Sequence, residues 1–430
     1  MSKAAPSARD LMGVSVVQAA TYQARIPAFL AVDFFSGAGG TTRGLLDAGG
    51  YVIAGIDKDV GCERTFVDNN NNTTLDRRPP YFLCRDIFPA SNTHPEGQQE
   101  KLEKELHLLI AKYRSLAPGV PILFAICAPC QPFTTLARKD LSEKRIERRQ
   151  KDKNLLSEAL KFVQRFEPDI VLSENVAGIS DPKFGGIWTA FCEGLRENGY
   201  AVGTDVVCAS NFGVPQYRKR SILVAAKRSK VKGDAARTGE LAIPLSSTSS
   251  LSTSVRQAIS HLPRIEAGEF HPNVPNHRAR SLSDTNLKRI ASARPGESNN
   301  YLSSTPYGDL SLPCHRRVNK KLKTACFTDV YTRMSADRPS PTITTKCHSI
   351  SNGRFGHYDT TQNRGISLRE AAALQSFRDD YIFYPEDRVC TVARMIGNAV
   401  PPLLSKSFAE FGLTLLDRRS FRSGRSADRA

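Results

Sequence analysis

Short apolar runs alternate with helix-like segments from Ala28 to about Ala226, and this alternation constrains the fold more than any other feature of the chain. Strands that alternate with amphipathic helices form a parallel sheet with helices on its faces. The predicted fold class is therefore α/β, a doubly wound and mostly parallel sheet of the Rossmann-like type. The expected strands are residues 29–33, 52–57, 81–85, 122–127, 170–173, 201–208 and 221–226, and a long amphipathic helix is expected over 96–116.

Polar or reactive residues end or follow several of these strands. In open α/β sheets, ligands bind outside the carboxyl ends of the strands. The residues at those ends are therefore expected to face one crevice, and they are Asp33, Asp57, Asp86, Cys130 and Glu174.

The composition indicates a basic globular protein. The chain has 430 residues, 60 Lys and Arg against 43 Asp and Glu, and a formal net charge of +17. An excess of positive charge favours a polyanionic partner, because neutralised phosphates release counterions. The 10 cysteines are scattered, and no apolar stretch resembles a secretory signal or a membrane span, so a reduced cytoplasmic setting is expected.

Two cysteines lie in the run Cys127-Ala-Pro-Cys130-Gln-Pro-Phe at the end of the fourth predicted strand. A Cys-x-x-Cys pair can be a thioredoxin-like redox motif or half of a zinc site. A redox motif should open a helix early in a small domain, whereas this pair follows a late strand. Pro129 and Pro132 restrict the backbone around Cys130 and present it on a rigid turn. Cys130 is therefore interpreted as a nucleophile, and Cys127 as the last residue of a buried strand.

A glycine-rich loop, Asp-Phe-Phe-Ser-Gly-Ala-Gly-Gly at residues 33–40, joins the first strand to a helix. Such a turn lets a ligand approach the backbone. Asp57, at the end of the second strand, is suited to ribose hydroxyls, and Asp86 is suited to an exocyclic amine. Phe35 and Ile87 could sandwich an adenine ring. A nicotinamide dinucleotide is the nearest alternative, but the loop lacks the last spaced glycine, and an adenosyl ligand with a cationic sulfonium suits the carboxylates better.

Composition divides the chain into five parts. We expect a variable leader over residues 1–27, the α/β domain over 28–229, and a smaller irregular domain over 230–357 that is rich in Ser, Thr, Pro, His and Arg. A segment over 358–416 is expected to pack back on the first domain, followed by a disordered basic tail over 417–430. Residues 139–153 are interpreted as a basic loop, with a solvated helix face as the alternative. The Cys and His residues of the second domain match no common zinc spacing, so no metal is expected.

Several short motifs resemble, in order, those of the DNA (cytosine-5)-methyltransferase family. They cover most of the chain and are residues 33–40, Pro129-Cys130-Gln131, Glu174-Asn175-Val176, Gln216-Tyr-Arg218-Lys-Arg220, residues 364–377 and Gly397-Asn398. The resemblance implies a methyltransferase fold with S-adenosyl-L-methionine as the cofactor. It implies that the cofactor contacts come from Phe35, Ser36, Gly37, Gly39, Gly40, Asp57, Asp86, Ile87 and Asn398. Asp57 stands where the family commonly has Glu, and its reach to the ribose is shorter.

The same resemblance implies the roles of the catalytic residues. Cys130 would add to C6 of cytosine and make C5 nucleophilic. Glu174 would hold N3, Arg220 would bind O2 with support from Arg218, and Gln216 would organise the Cys130 turn. The target base must then leave the duplex stack.

The resemblance also implies a partner and a recognition domain. Residues 230–357 would read duplex DNA in the major groove, with Arg316, Arg317, Arg333 and Arg338 as candidate contacts. A monomeric state and association with the nucleoid are expected, and the sequence leaves open whether a cognate restriction endonuclease, without direct contact, exists. Methylation of transfer RNA is an alternative, because Cys326-Phe-Thr resembles a motif of one family branch. A catalytically silent DNA-binding protein is a third possibility, which the presence of Cys130 and Glu174 disfavours.

Overall fold

The computed structural model describes residues 26–129, 154–181, 186–247, 252–316, 327–417 and 419. Cys130, Gln131, Arg317, Cys326 and the basic segment 139–153 lie outside these ranges. In the part of the chain that is described, no helix is both long and apolar enough to cross a membrane.

Seven strands form one sheet in the order β3-β2-β1-β4-β5-β7-β6. They are β1 (Leu30–Phe34), β2 (Tyr51–Asp57), β3 (Tyr81–Cys84), β4 (Ile122–Ile126), β5 (Ile170–Val176), β6 (Tyr200–Cys208) and β7 (Lys219–Lys227). Strands β1 to β5 pair in parallel, and β7 runs antiparallel to both of its neighbours. The predicted doubly wound, mostly parallel sheet is confirmed. Glu174 lies inside β5 rather than after it, because this strand continues to Val176 along its pairing with β7.

Eleven helices are described around this sheet. They are α1 (Gly40–Asp47), α2 (Glu63–Asn69), α3 (Gln99–Leu116), α4 (Leu155–Phe166), α5 (Ile187–Glu197), α6 (Ala235–Thr238), α7 (Val255–Ile259), α8 (Asp284–Ser292), α9 (Leu368–Leu374), α10 (Val389–Asn398) and α11 (Pro402–Leu415). The chain winds from β1 outward through β2 to β3, then returns to the other side of β1 to form β4. This reversal of strand order opens a crevice at the carboxyl ends of β1 and β4.

Both faces of the sheet are apolar and covered. Alternate side chains of β1 point to opposite faces, so Val32 packs in the cluster that contains α3, α4 and α5, while Ala31 packs with α1 and α11. Strands buried on both faces explain the nearly continuous apolar runs of the sequence. Helix α11 lies close to α1, because a Cβ on Gly44 would come within 2.4 Å of the Pro402 carbonyl oxygen.

A third apolar cluster joins distant parts of the chain. Met334, Ile343 and Phe355 pack with Leu368 of α9 and Ile396 of α10. The predicted boundary at residue 357 therefore falls within a shared core. A smaller, separate cluster is built from Ile290, Ala293, Leu302, Tyr331 and Ile350.

Candidate active site

A cavity of about 230 Å³ lies at the carboxyl ends of β1, β2, β4 and β5. It is also bounded by the start of β7 and the end of α10. The sequence-predicted site residues that line it are Phe35, Ser36, Gly37, Gly40, Asp57, Glu174, Arg218, Arg220 and Asn398. Residues more than 360 positions apart thus meet at the crevice that the strand order creates.

The glycine loop forms one wall of the cavity. The Gly37 N–H donates a hydrogen bond of 2.9 Å to Oδ2 of Asp57, which ties this loop to the end of β2. Gly39 has a φ of 89°, and a Cβ there would meet Asn70 Nδ2 at 2.5 Å and the Tyr381 hydroxyl at 2.7 Å. Only glycine fits at this point. Gly39 does not line the cavity, and the structure packs it against the protein instead.

Asp57 presents a carboxylate that still has room to accept hydrogen bonds. Its Oδ1 accepts from the Asp59 N–H at 2.8 Å, and its Oδ2 accepts from Gly37. Each carboxylate oxygen can accept two hydrogen bonds, so a ribose diol has acceptors here. Burial raises the pKa of Asp57 above its usual value, although its backbone hydrogen bonds oppose that shift. The donors and acceptors of this wall fit an adenosyl cofactor, and the nearby acids suit its positive sulfonium.

Glu174 and Arg220 form an ion pair in the cavity. Arg220 Nε lies 2.7 Å from Glu174 Oε1, and the two side chains are 12% and 13% exposed. Arg220 stands opposite Val176 in the β5–β7 register, which brings the end of β5 and the start of β7 together. The pair offers a carboxyl group and a guanidinium side by side to a planar polar ligand.

Hydrogen bonds from β5 hold the turn that precedes Cys130. The Ser173 hydroxyl donates to the Ile126 carbonyl at 2.5 Å, and Asn175 Nδ2 donates to the Ala128 carbonyl at 3.1 Å. Ala128 and Pro129 line the cavity. The chain is therefore at the cavity wall one residue before Cys130, whose own side chain lies outside the described residues.

Cys127 also lines the cavity, and β4 ends one residue before it. It was predicted as the last residue of that strand. Burial raises the pKa of the Cys127 thiol, and the charges of Glu174 and Asp33 raise it further. A thiol held in its protonated form is a poor nucleophile. This environment disfavours Cys127 as a nucleophile, a role that the sequence predicts for Cys130.

Gln216 and Arg218 join the sheet to the extended segment after Arg338. The side chain of Gln216 is fully buried, accepts from the Ile343 N–H at 2.8 Å and donates to Gln375 Oε1 at 2.8 Å. Arg218 Nη1 donates to the Ile343 carbonyl at 3.1 Å, and Nη2 donates to the Gly397 carbonyl at 3.3 Å. Both side chains therefore fix the segment and the end of α10 against the cavity.

Besides Gly39 and Gln216, three predicted residues do not line the cavity: Asp33 and Asp86 of the expected crevice, and Ile87 of the expected cofactor contacts. Asp33 is fully buried beneath α1, where Oδ2 accepts a 2.6 Å hydrogen bond from the Thr42 hydroxyl. Burial raises the pKa of Asp33 to about 7. Asp86 borders an adjoining open cleft next to Lys58, and Ile87 is buried in the core. Strand β3 is the edge strand, so its end lies beyond the main cavity.

The structure adds cavity residues that the sequence arguments missed. They include Asp59 and Cys62 after β2, and Arg394 and Met395 of α10. Arg394 Nη2 lies 3.5 Å from Asp59 Oδ2 and links the two walls. Helical spacing could have pointed to Arg394. Residues four apart share one face of a helix, and Arg394 lies one turn before Asn398.

The candidate DNA contacts separate into distinct environments. Arg338 is exposed, and Arg316 is exposed beside Asp309 at 2.8 Å. Arg317 lies outside the described residues.

Arg333 was predicted to contact DNA, and this prediction is wrong. It is fully buried, and its guanidinium donates to the carbonyls of Ile290, Ala293, His357, Asp359 and Gln362 and to Asn363 Oδ1. Its donors are used inside the protein, and no surface remains for a base or a phosphate.

Among the described residues, no group of three or more His, Cys, Asp or Glu side chains is placed to hold a metal ion.

The fold and the cavity define a class of protein. A Rossmann-like sheet with a glycine loop after β1, a carboxylate at the end of β2 and a cavity at the carboxyl ends of β1 and β4 is the architecture of methyltransferases that use S-adenosyl-L-methionine.

Comparisons with known proteins agree. Residues 90–411 match the family model described as C-5 cytosine-specific DNA methylase. The Type II methylase M.HgiDII of Herpetosiphon aurantiacus is 33% identical over 381 residues, covering 88% of this chain and 93% of that protein. The Type II methyltransferase M1.HphI of Haemophilus parahaemolyticus is 27% identical, covering 88% and 85%. A prophage-encoded DNA modification methyltransferase from E. coli has a similar fold, with a TM-score of 0.61, 19% identity and coverage of 90% and 99%.

The chain belongs to the C-5 cytosine-specific DNA methylase family. It transfers the methyl group of S-adenosyl-L-methionine to C5 of cytosine in DNA. The predicted family, reaction and cofactor are confirmed.

Proposed function

We propose that Cys130, Glu174 and Arg220 carry the methylation reaction in this chain, on a cytosine flipped out of a specific duplex sequence. The observation that supports these roles best is the Glu174–Arg220 ion pair at 2.7 Å. It lies in the same cavity as the glycine loop and Pro129. A nucleophile that follows Pro129 would meet both the target base and the cofactor there.

The reaction begins with addition of the Cys130 thiolate to C6 of cytosine. A covalent S–C6 bond forms, and the electron pair of the C5–C6 double bond moves toward N3, where Glu174 supplies or shares a proton. When bound, S-adenosyl-L-methionine would supply an electrophilic methyl group: the bond from C5 to the methyl carbon would form as the bond from sulfur to that carbon breaks, and S-adenosyl-L-homocysteine would leave with the electron pair. Loss of the C5 proton to water or another base would then restore the C5–C6 double bond and expel Cys130 as thiolate.

Arg220 binds O2 of the cytosine. A guanidinium beside O2 stabilises negative charge that develops on the ring during thiolate addition. Arg218 acts through its carbonyl contacts, which hold the segment around Ile343 and the end of α10 in place. Gln216 has a matching positioning role on the same segment, and any effect on the Cys130 turn passes through that packing.

The residues along the glycine loop would hold the cofactor. Asp57 would accept hydrogen bonds from the ribose hydroxyls, and Phe35 and Asn398 line the same cavity. Ser36, Gly37 and Gly40 present loop backbone to the ligand, while Gly39 keeps the loop shape. Asp86 and Ile87 serve the adenine end only if the cofactor reaches the cleft beside Lys58.

The physiological setting follows from the same function. Residues 28–229 carry catalysis, 230–357 recognise the target, and 358–416 support both. The enzyme acts as a monomer on cytoplasmic, nucleoid-associated DNA, with a restriction endonuclease of the same specificity as its functional partner.

Bisulfite sequencing of plasmid DNA from cells that express the chain tests the reaction and names the target. With the wild-type protein, cytosines at one sequence should be methylated and resist conversion by bisulfite. With Cys130→Ala, every cytosine should be converted. Cys390→Ala is the matched control, because it removes an exposed thiol that does not line the cavity and should behave as wild type. Unmodified DNA with the wild-type protein and its cofactor would contradict the proposal.

Covalent trapping tests the mechanism separately. A duplex with 5-fluorocytosine at the target should form a stable adduct, since fluorine cannot leave C5 as a proton does. The adduct should form with wild type and Cys390→Ala and be absent with Cys130→Ala. An active enzyme that leaves no adduct would rule out the thiolate addition.

A further inference from the structure

A small platform lies apart from the main cores of the protein. We define the platform as residues 284–316 and 327–331, built on the cluster that contains Ile290, Leu302 and Tyr331. Helix α8 forms one side of the platform. Arg333 anchors it to the rest of the molecule, because its guanidinium bridges carbonyls of Ile290 and His357.

A tight turn, Thr305-Pro-Tyr307-Gly308, projects from the platform. The Gly308 N–H donates to the Thr305 carbonyl at 3.0 Å, and the Thr305 N–H donates back to the Gly308 carbonyl at 3.3 Å. The Thr305 hydroxyl accepts from the Tyr307 N–H at 3.1 Å. Gly308 has a φ of 86°, a conformation that glycine adopts without strain. The turn is therefore rigid, although Tyr307 at its tip is 53% exposed.

Tyr307 belongs to a continuous aromatic and basic surface. Lys288 Nζ lies 5.7 Å from the centre of its ring. Asp309, two residues after Tyr307, pairs with Arg316, and the neighbouring His315 stacks on Phe327 with ring centres 5.0 Å apart. Phe327 is 49% exposed. We call this surface the aromatic face.

The chemistry of the aromatic face fits a nucleic acid. In a duplex, apolar and aromatic side chains contact base edges in the grooves, and lysine and arginine hold phosphates. Burial lowers the pKa of His315, with a smaller contribution from Arg289, so the ring stacked on Phe327 is neutral at neutral pH. Cations therefore surround uncharged rings, a pattern that suits bases beside a phosphate backbone.

We propose that Tyr307 is a specificity-determining residue that packs against a base next to the flipped cytosine, while Lys288 holds a neighbouring phosphate. This inference rests on the proposed recognition of duplex DNA and names residues that do the reading. A rigid turn suits this role, because little conformational freedom is lost when it meets the duplex. Replacement of Tyr307 should change sequence preference, and replacement of Lys288 should weaken binding to all sequences.

The test compares wild type, Tyr307→Ala, Lys288→Ala and Phe270→Ala. Phe270 is the matched control, because it is 57% exposed and lies 4.4 Å from Arg278 Cζ, a similar pair outside the platform. Each protein is given a duplex library with a fixed target cytosine and random flanks, and methylated products are read by bisulfite sequencing. Binding of the same library is measured by fluorescence anisotropy over a range of salt concentrations. Thermal unfolding verifies that each variant is folded.

We expect Tyr307→Ala to lose about tenfold in affinity, as for one lost contact to a recognised base pair, and to lose preference at one flanking position. Lys288→Ala should bind all sequences more weakly with a smaller salt dependence, and Phe270→Ala should match wild type. A folded Tyr307→Ala with wild-type binding and preference would overturn the inference.

The two proposals fail in distinguishable ways. If wild type binds the library and methylates nothing, the proposed catalytic residues are wrong, and the binding comparison still decides the role of Tyr307. If wild type binds no duplex, recognition by the aromatic face is wrong as well.

Discussion

Arginine has opposite roles in two regions of the molecule. In the cavity, Arg220 pairs with Glu174, and both side chains keep about an eighth of their surface exposed. Around the start of α9 lies a region that we call the buried junction and define as Arg333, Arg364, Arg369 and Glu370. Its arginines are almost fully enclosed. Arg364 grips Glu370 through two hydrogen bonds of 2.7 and 2.8 Å.

The difference lies in what satisfies each guanidinium. The junction arginines donate hydrogen bonds to carbonyl groups and to one carboxylate inside the protein, and these bonds hold chain segments together. Burial opposes ionisation of Glu370, but the charge and hydrogen bonds of Arg364 hold the pKa of that carboxyl well below its usual range. The cavity pair keeps open surface, so a ligand can share its charges. A charged pair that is fully enclosed therefore indicates a structural role, whereas a pair that a ligand can still reach indicates a role in binding or catalysis.

The largest expected effect is on stability at the junction. Glu370→Ala leaves Arg364 buried without its partner and also removes the side chain that accepts from the Ser367 N–H at 2.7 Å. The free energy of unfolding should fall by about 3–5 kcal/mol. Urea denaturation followed by circular dichroism measures it. Glu410→Ala, at an exposed pair 3.8 Å from Lys406, should change stability by less than about 1 kcal/mol. Equal effects of the two variants would contradict the contrast between enclosed and accessible pairs.

In the cavity we expect lost activity without lost stability. Glu174→Gln keeps the shape of the side chain, but an amide can neither carry the negative charge nor transfer a proton. The value of kcat should therefore fall by about 100-fold or more. Transfer of labelled methyl groups to cognate duplex measures the rate, and thermal unfolding should stay near wild type. Glu167→Gln, at the exposed pair with Lys227, is the control and should retain activity. If Glu174→Gln unfolds, or if it keeps full activity, the ion pair with Arg220 has a structural role and not a catalytic one.

Asp33 extends the comparison to a buried acid with no ion pair in the contacts that the structure gives. Its folded-state pKa is raised to about 7, so the protonated form stabilises the fold. That stabilisation is complete below about pH 4 and is lost as the pH rises through about 7. Asp33→Asn mimics the protonated acid and should gain Tm relative to wild type at pH 8, with a smaller gain at pH 5. Thermal scans at both pH values measure the difference, and a pH-independent difference would show that Asp33 titrates normally.

The smallest effect is expected at an exposed arginine. Arg338→Ala should weaken DNA binding modestly and lower the slope of log affinity against log salt by about 1, as for one lost phosphate contact. Its stability should not change, because the side chain is exposed. Anisotropy titrations at several salt concentrations measure the slope. An unchanged slope would remove Arg338 from the DNA contacts.

Several site residues could be predicted because local sequence sets their position. Strands predicted from apolar runs begin and end within a few residues of those observed, and Asp57 follows from the end of β2. The glycine loop is similarly local, since its turn requires residues without a Cβ. Asn398 needed the family resemblance, because nothing in its local pattern points to a cavity formed with β1.

Other residues could not be placed from the sequence. Arg333 and Arg338 are five residues apart in the same basic, polar stretch, yet one is buried among carbonyls and the other is exposed. Asp33 and Asp86 both end or follow strands, but one lies beneath α1 and the other at the sheet edge. Arg394 reaches the cavity through a helix that begins more than 300 residues after β2.

The sequence alone determined the sheet, the strand ends that carry chemistry and the family, because each depends on residue spacing over a short range. Only the tertiary structure decided which charges work on a ligand and which are consumed by the fold. Burial and hydrogen-bond partners set that division, and both come from segments hundreds of residues apart that pack against each other.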